Sequence, residues 1–297
     1  MAIGGRGSSP TISYAGEPGA FAEDAVIAAF GDVARQPVAG FREVFEAVTR
    51  EDAGVGVVPI ENLVNGSVRE VYDLLLEHEL ATIGEVVVPV DLCLAALPGT
   101  AIADVQRVYS HIQALGQSER FLRSRRWNLL TTYNTAGAGK FIVEQGDRAA
   151  AAVLSRRAAA RFGLTVLAES IQDVPDNRTK FLVVAADVGP QDGTAEEGVG
   201  SFRTTLAFGV RNEPGTLLQA LRVFADRSIN LSKLESRPSR GAAWEYVFWA
   251  DLDAHRGDPN CAAAIDELAA VATMVRVLGS YPRAPEPGSA AEAATIS

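Results

Sequence analysis

Apolar and polar positions along the first two thirds of the chain follow two different periods. Short apolar runs such as TISYAG, GVGVVPI and WNLLTTY are bounded by Gly, Pro or polar residues, as buried strands are. Between them lie longer segments such as AFAEDAVIAAF, in which apolar residues recur at the spacing of one helix face. Strands separated by helices indicate an α/β domain with a mainly parallel sheet over residues 10–187.

This pattern is interrupted at residues 188–201, which are rich in Gly and acidic residues and typical of an exposed linker. It restarts at FRTTLAFGV, and the following elements have the order strand–helix–strand–strand–helix–strand. This is the order of a ferredoxin-like fold, which we predict for residues 202–283. The remaining stretch, residues 284–297, has low complexity and is predicted to be disordered.

Composition narrows the class of protein. Hydrophobic residues make up 47% and charged residues 22% of the 297 positions, as in soluble globular proteins. The formal net charge of −10 argues against non-specific nucleic-acid binding. No apolar run reaches the roughly 18 residues that span a bilayer, no secretory signal is recognisable, and the two cysteines suggest neither disulfides nor a metal site. We expect a cytoplasmic protein without a metal or cofactor, and without a membrane or nucleic-acid partner.

Polar side chains follow several of the predicted strands. The candidates are Glu61, Asn62 and Ser67 in PIENLVNGS, Ser110 and Gln117 in YSHIQALGQ, and Thr135 in NTAGAGK. In open α/β sheets, ligands bind beyond the carboxyl ends of the strands, so these groups are placed for recognition. Each loop alone fits ordinary turn and capping chemistry comparably well. His111 has no Cys, Asp or second His at catalytic spacing, and we interpret it as a structural or solvated side chain.

The segment PDNRTKF sets Thr179 between two cations, Arg178 and Lys180. A Thr hydroxyl is too weak an acid to give up a proton readily at neutral pH, but it can hydrogen-bond a departing hydroxyl as negative charge develops there. In a strand, neighbouring side chains alternate between faces, so all three groups converge only in a loop. Taken alone, the segment favours a polar strand entry.

Two motifs in the second domain, NEPGTLL and NLSKLESRP, lie at a loop-to-helix junction and at a strand end. Such a pair can build a notch for a small ligand at a subunit interface. The alternative is a plain turn and a plain strand end.

Taken together and in this order, the motifs resemble those of the prephenate dehydratase family. The blocks that carry the resemblance are GEPGAF, PIENLVNGSV, YSHIQALGQ, NTAGAGK, IQDVPDNRTKF, PGTLL and ESRP, within roughly Thr11 to Pro282. The resemblance implies a catalytic part with two lobes like a periplasmic binding protein over residues 10–187. It implies a regulatory ACT domain of the ferredoxin-like type over residues 202–283.

The resemblance also implies a reaction and a set of roles. Prephenate loses its ring carboxylate as CO2 and its ring hydroxyl as water, giving phenylpyruvate for L-phenylalanine biosynthesis without a cofactor. Thr179 is the implied catalytic hydroxyl, and the implied substrate-binding residues are Glu61, Asn62, Ser67, Ser110, Gln117, Thr135, Arg178 and Lys180. L-phenylalanine is the implied allosteric effector, bound by Asn212, Gly215, Leu217, Leu218, Glu235, Ser236 and Arg237. A homodimer or homotetramer is expected.

Four positions depart from the family pattern. Lys180 replaces an Arg, Leu63 a Ser, Ile112 a Pro and Ala20 a Thr. Lys keeps the charge but not the planar fork that grips a carboxylate. Arogenate dehydratase and a non-aromatising prephenate decarboxylase therefore stay open, as does a non-catalytic amino-acid sensor. Those decarboxylases look as though they lack the signature Thr, so the presence of Thr179 favours dehydration.

Overall fold

The structure is a computed structural model that describes residues 10–186, 202–238 and 246–284. The predicted linker at 188–201 lies outside these ranges, as does all but the first residue of the predicted tail at 284–297. The strands are Ile12–Ala15 (β1), Arg35–Val38 (β2), Val55–Asn62 (β3), Gly66–Ser67 (β4), Leu80–Pro89 (β5), Cys93–Ala96 (β6), Arg107–Ser110 (β7), Asn128–Thr131 (β8), Ala150–Leu154 (β9), Thr165–Ala168 (β10), Arg178–Ala186 (β11), Phe202–Gly209 (β12), Leu231–Pro238 (β13), Tyr246–Leu252 (β14) and Met274–Pro282 (β15). The α-helices are Phe21–Phe30 (α1), Phe41–Thr49 (α2), Arg69–Glu77 (α3), Ile112–Gln117 (α4), Glu119–Arg123 (α5), Thr135–Gln145 (α6), Arg156–Arg161 (α7), Thr216–Ala225 (α8) and Pro259–Val271 (α9).

The chain forms two compact units. Unit 1 comprises the described residues of Met1–Glu79 and Val86–Val184, and unit 2 those of Leu80–Glu85 and Ala185–Ser297. Strand β5 therefore contributes its first part to unit 2 and its last part to unit 1. In the described ranges, no helix has the length and apolarity that a membrane crossing requires.

Unit 1 contains two sheets and hence two lobes. Lobe 1 has a sheet of order β2-β1-β3-β11-β5 with β4 beside β3, and lobe 2 has a sheet of order β10-β6-β9-β7-β8. Strands β1, β2 and β3 are parallel, as are β7, β8 and β9. Strand β11, however, runs antiparallel to β3, and β6 runs antiparallel to both β9 and β10. Both sheets are therefore mixed, and the prediction of a mainly parallel sheet is correct only for three strands of each lobe.

In each lobe, apolar side chains of the helices pack against apolar side chains of the sheet and are buried there. In lobe 1, Val44 and Phe45 of α2 and Val57 of β3 have no exposed surface. In lobe 2, Leu154 of β9 and Ile142 of α6 belong to one fully buried cluster. Burying side chains of this size contributes about 1.5–3 kcal/mol each, so each sheet is a stable platform for the loops at its strand ends.

Strand β11 brings the PDNRTKF segment beside the end of β3. Thr179 pairs with Asn62 and Lys180 with Glu61, and the register then shifts between Lys180 and Phe181. Just before the strand, the carbonyl of Asn177 accepts a hydrogen bond from Val90 N at 2.8 Å. Residues far apart in sequence, around 62, 90 and 178, thereby meet at one edge of lobe 1.

Unit 2 has the predicted order of elements, β12-α8-β13-β14-α9-β15. Its antiparallel sheet has the strand order β13-β14-β12-β15. Leu206 and Phe208 of β12 pack with Ala220 and Phe224 of α8 in a buried cluster. The ferredoxin-like prediction for this part of the chain is confirmed.

A buried ion pair lies within unit 2. The Arg203 guanidinium is bonded to the Glu85 carboxylate, and the two side chains are 5% and 3% exposed. Asp251 lies 3.6 Å from Arg203 Nε on another side. Burial alone would lower the pKa of Arg203, but Glu85 and Asp251 outweigh it and raise that pKa. The pair joins the first part of β5 to the sheet of unit 2.

Candidate active site

A cleft of about 640 Å³ opens between the two lobes of unit 1. This volume is within the range of small-molecule sites. Lobe 1 contributes Asn62, Ser67, Arg69 and Thr179 to its lining, and lobe 2 contributes His111, Gln117 and Thr135. Each of these residues lies at the end of a strand or in the first or last turn of a helix. Of these seven, five are candidates that the sequence singles out: Asn62, Ser67, Gln117, Thr135 and Thr179.

The orientation of the Asn62 amide is fixed by the loop that follows β3. Asn62 Oδ1 accepts hydrogen bonds from the backbone N–H groups of Val64 and Asn65, at 3.0 and 2.9 Å. Because a side-chain amide oxygen only accepts and its nitrogen only donates, Nδ2 must face the other way. There it donates to Thr179 Oγ1 at 2.9 Å and to the Arg178 carbonyl at 3.1 Å.

It follows that Thr179 accepts a hydrogen bond from Asn62 and cannot donate one to it. The hydroxyl hydrogen of Thr179 points away from Asn62, and its side chain lines the cleft. The site thus holds a hydroxyl whose oxygen is anchored and whose hydrogen is available to a bound molecule. This arrangement suits the stabilisation of a departing oxygen.

Two further amides, those of Asn177 and Gln117, continue this contact across the cleft. Asn177 Oδ1 is a third acceptor, 2.9 Å from Asn62 Nδ2, so the two hydrogens of that nitrogen serve three acceptors and one hydrogen is shared. Asn177 Nδ2 in turn donates to Gln117 Oε1 at 3.0 Å. Asn177 is only 2% exposed. Sequence reasoning missed Asn177, although it stands two positions before Thr179; its burial was not readable from the local pattern.

The structure separates the predicted substrate-binding residues into two groups. Asn62, Ser67, Gln117 and Thr135 line the cleft together with Thr179. Outside the described lining are Glu61, Ser110, Arg178 and Lys180. Their roles stay predictions.

The residues outside the lining have other contacts. Ser110 is fully buried and donates to the Val153 carbonyl at 2.6 Å. Arg178 Nε lies 2.6 Å from Asp176 Oδ1. Because β11 begins at Arg178, alternation along the strand directs Arg178 and Lys180 away from the face of Thr179.

One cationic side chain, that of Arg69, lies among the described residues that line the cleft. It begins α3, directly after Ser67 and Val68. Sequence reasoning missed Arg69, since it treated VREVYDLLLEH as an amphipathic helix and gave its first charge no role. A guanidinium at this position can bind a carboxylate of a ligand.

His111 also lines the cleft and caps α4. Its Nδ1 accepts from the Gln113 backbone N–H at 3.3 Å, and burial lowers its pKa below 6.5. Because Nδ1 accepts this hydrogen bond, it carries no proton in this geometry. The structural interpretation of His111 is consistent with this cap, although the residue is closer to the cleft than the sequence indicated.

Two side-chain hydrogen bonds connect the turn between β1 and α1 to the first turns of α6 and the residues just before it. Glu17 Oε1 accepts from Tyr133 Oη at 2.8 Å and from Lys140 Nζ at 3.1 Å. Burial raises the pKa of Glu17, but these two bonds outweigh it and the pKa is lowered overall. Burial and the bond to Glu17 raise the pKa of Tyr133 to about 12. Both lobes are thus connected beside Thr135.

In unit 2, the predicted phenylalanine-binding residues lie on two elements. Gly215 has a φ of 87° and precedes α8, where Leu217 is half-buried and Leu218 is 63% exposed. Asn212 is exposed in the loop before them. Glu235 and Arg237 pair with Trp249 and Val247 across β13 and β14, so they share one face of the sheet and Ser236 lies on the other. Their roles also stay predictions.

Comparison with known proteins agrees with this architecture. The profile of the prephenate dehydratase family matches residues 12–188, and that of the ACT domain matches residues 204–270. A bifunctional chorismate mutase/prephenate dehydratase of Aquifex aeolicus (strain VF5) is 39% identical over 277 residues, 92% of this chain and 74% of that protein. Arogenate dehydratase 2 of Petunia hybrida is 40% identical over 292 residues, 93% of this chain and 73% of that protein. The crystal structure of a prephenate dehydratase from Arthrobacter aurescens in complex with L-Phe superimposes with a TM-score of 0.84 at 31% identity, covering 96% of each chain.

The two-lobed α/β unit, its cleft and the small βαββαβ unit define a dehydratase with a regulatory ACT domain. The chain belongs to the prephenate dehydratase family. Its fold, its family and its class as a lyase were predicted from the sequence and are confirmed.

Proposed function

We propose that the cleft of unit 1 converts prephenate into phenylpyruvate, CO2 and water, with Thr179 as the catalytic hydroxyl. The hydrogen bond from Asn62 Nδ2 to Thr179 Oγ1 carries this proposal, because it leaves the Thr179 hydrogen free to meet a substrate oxygen. Asn62, Ser67, Gln117 and Thr135 position the substrate beside it.

The chemistry needs positioning more than a strong acid. The bond between the ring and its carboxylate breaks, and its electron pair enters the ring as CO2 departs. The bond between the ring and the hydroxyl oxygen breaks with its electron pair on oxygen, and a proton from solvent completes the water molecule. Thr179 donates a hydrogen bond to that oxygen as its charge grows, and the developing aromatic ring supplies much of the driving force.

Arg69 is proposed to bind one carboxylate of the dianionic substrate. Its place in the lining supports this role. The predicted roles of Arg178 and Lys180 would then be electrostatic support from outside the lining, since Arg178 is already paired with Asp176. Glu61 and Ser110 keep their predicted substrate-binding roles as proposals, and Ser110 also joins β7 to β9 through its hydrogen bond to the Val153 carbonyl.

L-phenylalanine is proposed as the allosteric effector, bound through Asn212, Gly215 and Arg237 with their neighbours in unit 2. A solved relative that contains L-Phe supports this. Strand β13 is at the edge of its sheet in the described chain and can pair with a second copy. We therefore propose a cytoplasmic homodimer or homotetramer whose state shifts by about 1–3 kcal/mol on binding phenylalanine.

Arogenate is the second candidate substrate, because a relative that covers most of this chain is an arogenate dehydratase. The two substrates differ in the side chain, which ends in a pyruvyl group in prephenate and in an alanyl group in arogenate. A non-aromatising decarboxylase and a non-catalytic amino-acid sensor are the remaining alternatives.

A product assay separates these functions. Purified protein is incubated at neutral pH with prephenate or arogenate, beside a protein-free blank, because prephenate aromatises by itself in acid. Phenylpyruvate and CO2 rising in step above the blank support the proposal. CO2 without phenylpyruvate would identify a decarboxylase, phenylalanine from arogenate alone an arogenate dehydratase, and no product from either a sensor.

A further inference from the structure

Three side-chain amides form a closed ring at the floor of the cleft. Asn62 donates to Asn177 at 2.9 Å, Asn177 donates to Gln117 at 3.0 Å, and Gln117 Nε2 returns to Asn62 Oδ1 at 3.5 Å. Each amide thereby donates to one neighbour and accepts from the other. The ring satisfies the buried polar atoms of Asn177 without leaving a choice of direction.

The direction of the ring is set from outside it. The backbone N–H groups of Val64 and Asn65 hold Asn62 Oδ1, so Asn62 must present its nitrogen to Asn177. Asn177 must then accept this hydrogen bond with Oδ1, which leaves its Nδ2 to donate to Gln117. The loop after β3 therefore determines the orientation of the Gln117 amide, and Asn177 relays it through its two hydrogen bonds.

The ring also connects the two lobes. Asn62 ends β3 and Asn177 precedes β11, both in lobe 1, whereas Gln117 ends α4 in lobe 2. Thr179 is bonded to the same Asn62 nitrogen that holds Asn177. The anchored hydroxyl and the lobe-to-lobe contact therefore share one donor.

We propose that Asn177 is a positioning residue: it links Gln117 to Asn62 and, together with the backbone N–H groups of Val64 and Asn65, holds the Asn62 amide that anchors the Thr179 hydroxyl. This rests on the proposed function of Thr179. Asn177 is buried and lies outside the described lining, so it acts through its neighbours and not on the substrate. Its backbone carbonyl is held separately by Val90 N at 2.8 Å, so a changed side chain leaves that anchor in place.

The test is a double-mutant cycle on the full chain with Asn177→Leu and Thr179→Val. Asn177→Leu keeps the size and neutrality of the side chain but removes both amide bonds. We expect it to lower kcat by about 10- to 100-fold, as small misplacements of catalytic groups do, and to change KM for prephenate less than about threefold. In the Thr179→Val background the same change should lower kcat by less than about threefold, because coupled residues are non-additive.

Gln172→Leu is the matched control. Gln172 Oε1 accepts from the backbone of the cleft residue Leu92 at 3.0 Å, but it is outside the ring. Its effect on kcat should be small and additive with Thr179→Val. If Asn177→Leu gives no cooperative unfolding transition, Asn177→Ser, which is too short to reach Gln117, takes its place.

Additive effects of Asn177 and Thr179, or an unchanged kcat, would overturn the proposal. Wild-type turnover is measured first. An inactive wild type would refute the proposed function, whereas an active wild type with additive mutants would refute only the role of Asn177.

Discussion

At the scale of single residues, the chemistry of the cleft depends on which atom of a hydrogen bond donates. Thr179 has an anchored oxygen because Asn62 presents nitrogen, and Asn62 presents nitrogen because two backbone N–H groups occupy its oxygen. A donor held in advance toward developing charge stabilises a transition state without reorganising during the reaction.

Removing the Thr179 hydroxyl should lower kcat with little change in substrate binding. For Thr179→Val we expect a loss of about 10²- to 10³-fold in kcat, the effect of removing one such donor. Thr179→Ser keeps the hydroxyl and should stay within about tenfold of wild type. Steady-state phenylpyruvate formation measures both, and a Val variant as active as the Ser variant would remove Thr179 from the mechanism.

Removing the Arg69 guanidinium should weaken substrate binding and leave the chemical step largely intact. Arg69→Gln is expected to raise KM about tenfold, equivalent to about 1.4 kcal/mol. The effect should shrink with added salt because Arg69 is exposed. Arg50→Gln changes the net charge equally at the C-cap that follows α2, and Arg50 is outside the described lining, so it serves as the control. Equal KM values for the two variants would contradict the role of Arg69.

At the scale of elements, the sequence predicted most strands and helices but not the direction of every strand. Apolar periodicity located β3 and α6 because burial of one face is a local property. The antiparallel return of β11 onto β3 was not readable, because it depends on which distant strand is inserted between β3 and β5. Alternation did predict that Thr179 and its cationic neighbours diverge if a strand begins there, as it does at Arg178.

Helix α6 should depend on its N-cap. Asn134 Oδ1 accepts from the Gly137 backbone N–H at 2.5 Å, so Asn134→Ala is expected to lower the free energy of unfolding by about 0.5–2 kcal/mol. Asn134→Ser, which can cap equally well, should recover most of the loss. Urea denaturation measures both. Equal losses for Ala and Ser would show that the cap is not the cause.

At the scale of the whole molecule, the family and the two-part organisation follow from ordered motifs, whereas the site is only partly predictable. Asn62 was recognisable because it stands in a polar loop at a strand end, and Gln117 because it stands in the helix that follows such a loop, whereas Thr179 was assigned its role only through the family resemblance. Arg69 and Asn177 were not, since an exposed helix residue and a buried amide have no distinctive local pattern. Their significance arises from β3, α3, β11 and α4 meeting in three dimensions.

Removing one partner of the buried ion pair of unit 2 should destabilise the protein strongly, whereas replacing both partners by apolar residues should destabilise it less. Glu85→Leu alone leaves Arg203 buried beside Asp251 and should lower the free energy of unfolding by about 3–5 kcal/mol. Adding Arg203→Met removes the cation that has lost its nearer carboxylate and should recover part of that loss, because Asp251 keeps its hydrogen bond from Thr205 Oγ1. Thermal and urea unfolding of the two variants test this. A double variant no more stable than the single one would mean that packing, not charge, limits stability there.

The first part of strand β5 belongs to unit 2, although it lies within the sequence of unit 1. Unit 2 is assembled from two stretches that are about a hundred positions apart in sequence. The first, Leu80–Glu85, supplies both the counter-ion of Arg203 and the backbone against which Gly279 fits. A β-carbon at position 279 would come within 1.9 Å of the Thr82 carbonyl oxygen. A fragment that begins at Phe202 therefore contains every element of the ACT domain and still lacks part of its interior. We therefore expect the regulatory domain not to fold fully when residues from Phe202 onward are transferred to another enzyme. A fusion protein would also have to include the Leu80–Glu85 strand.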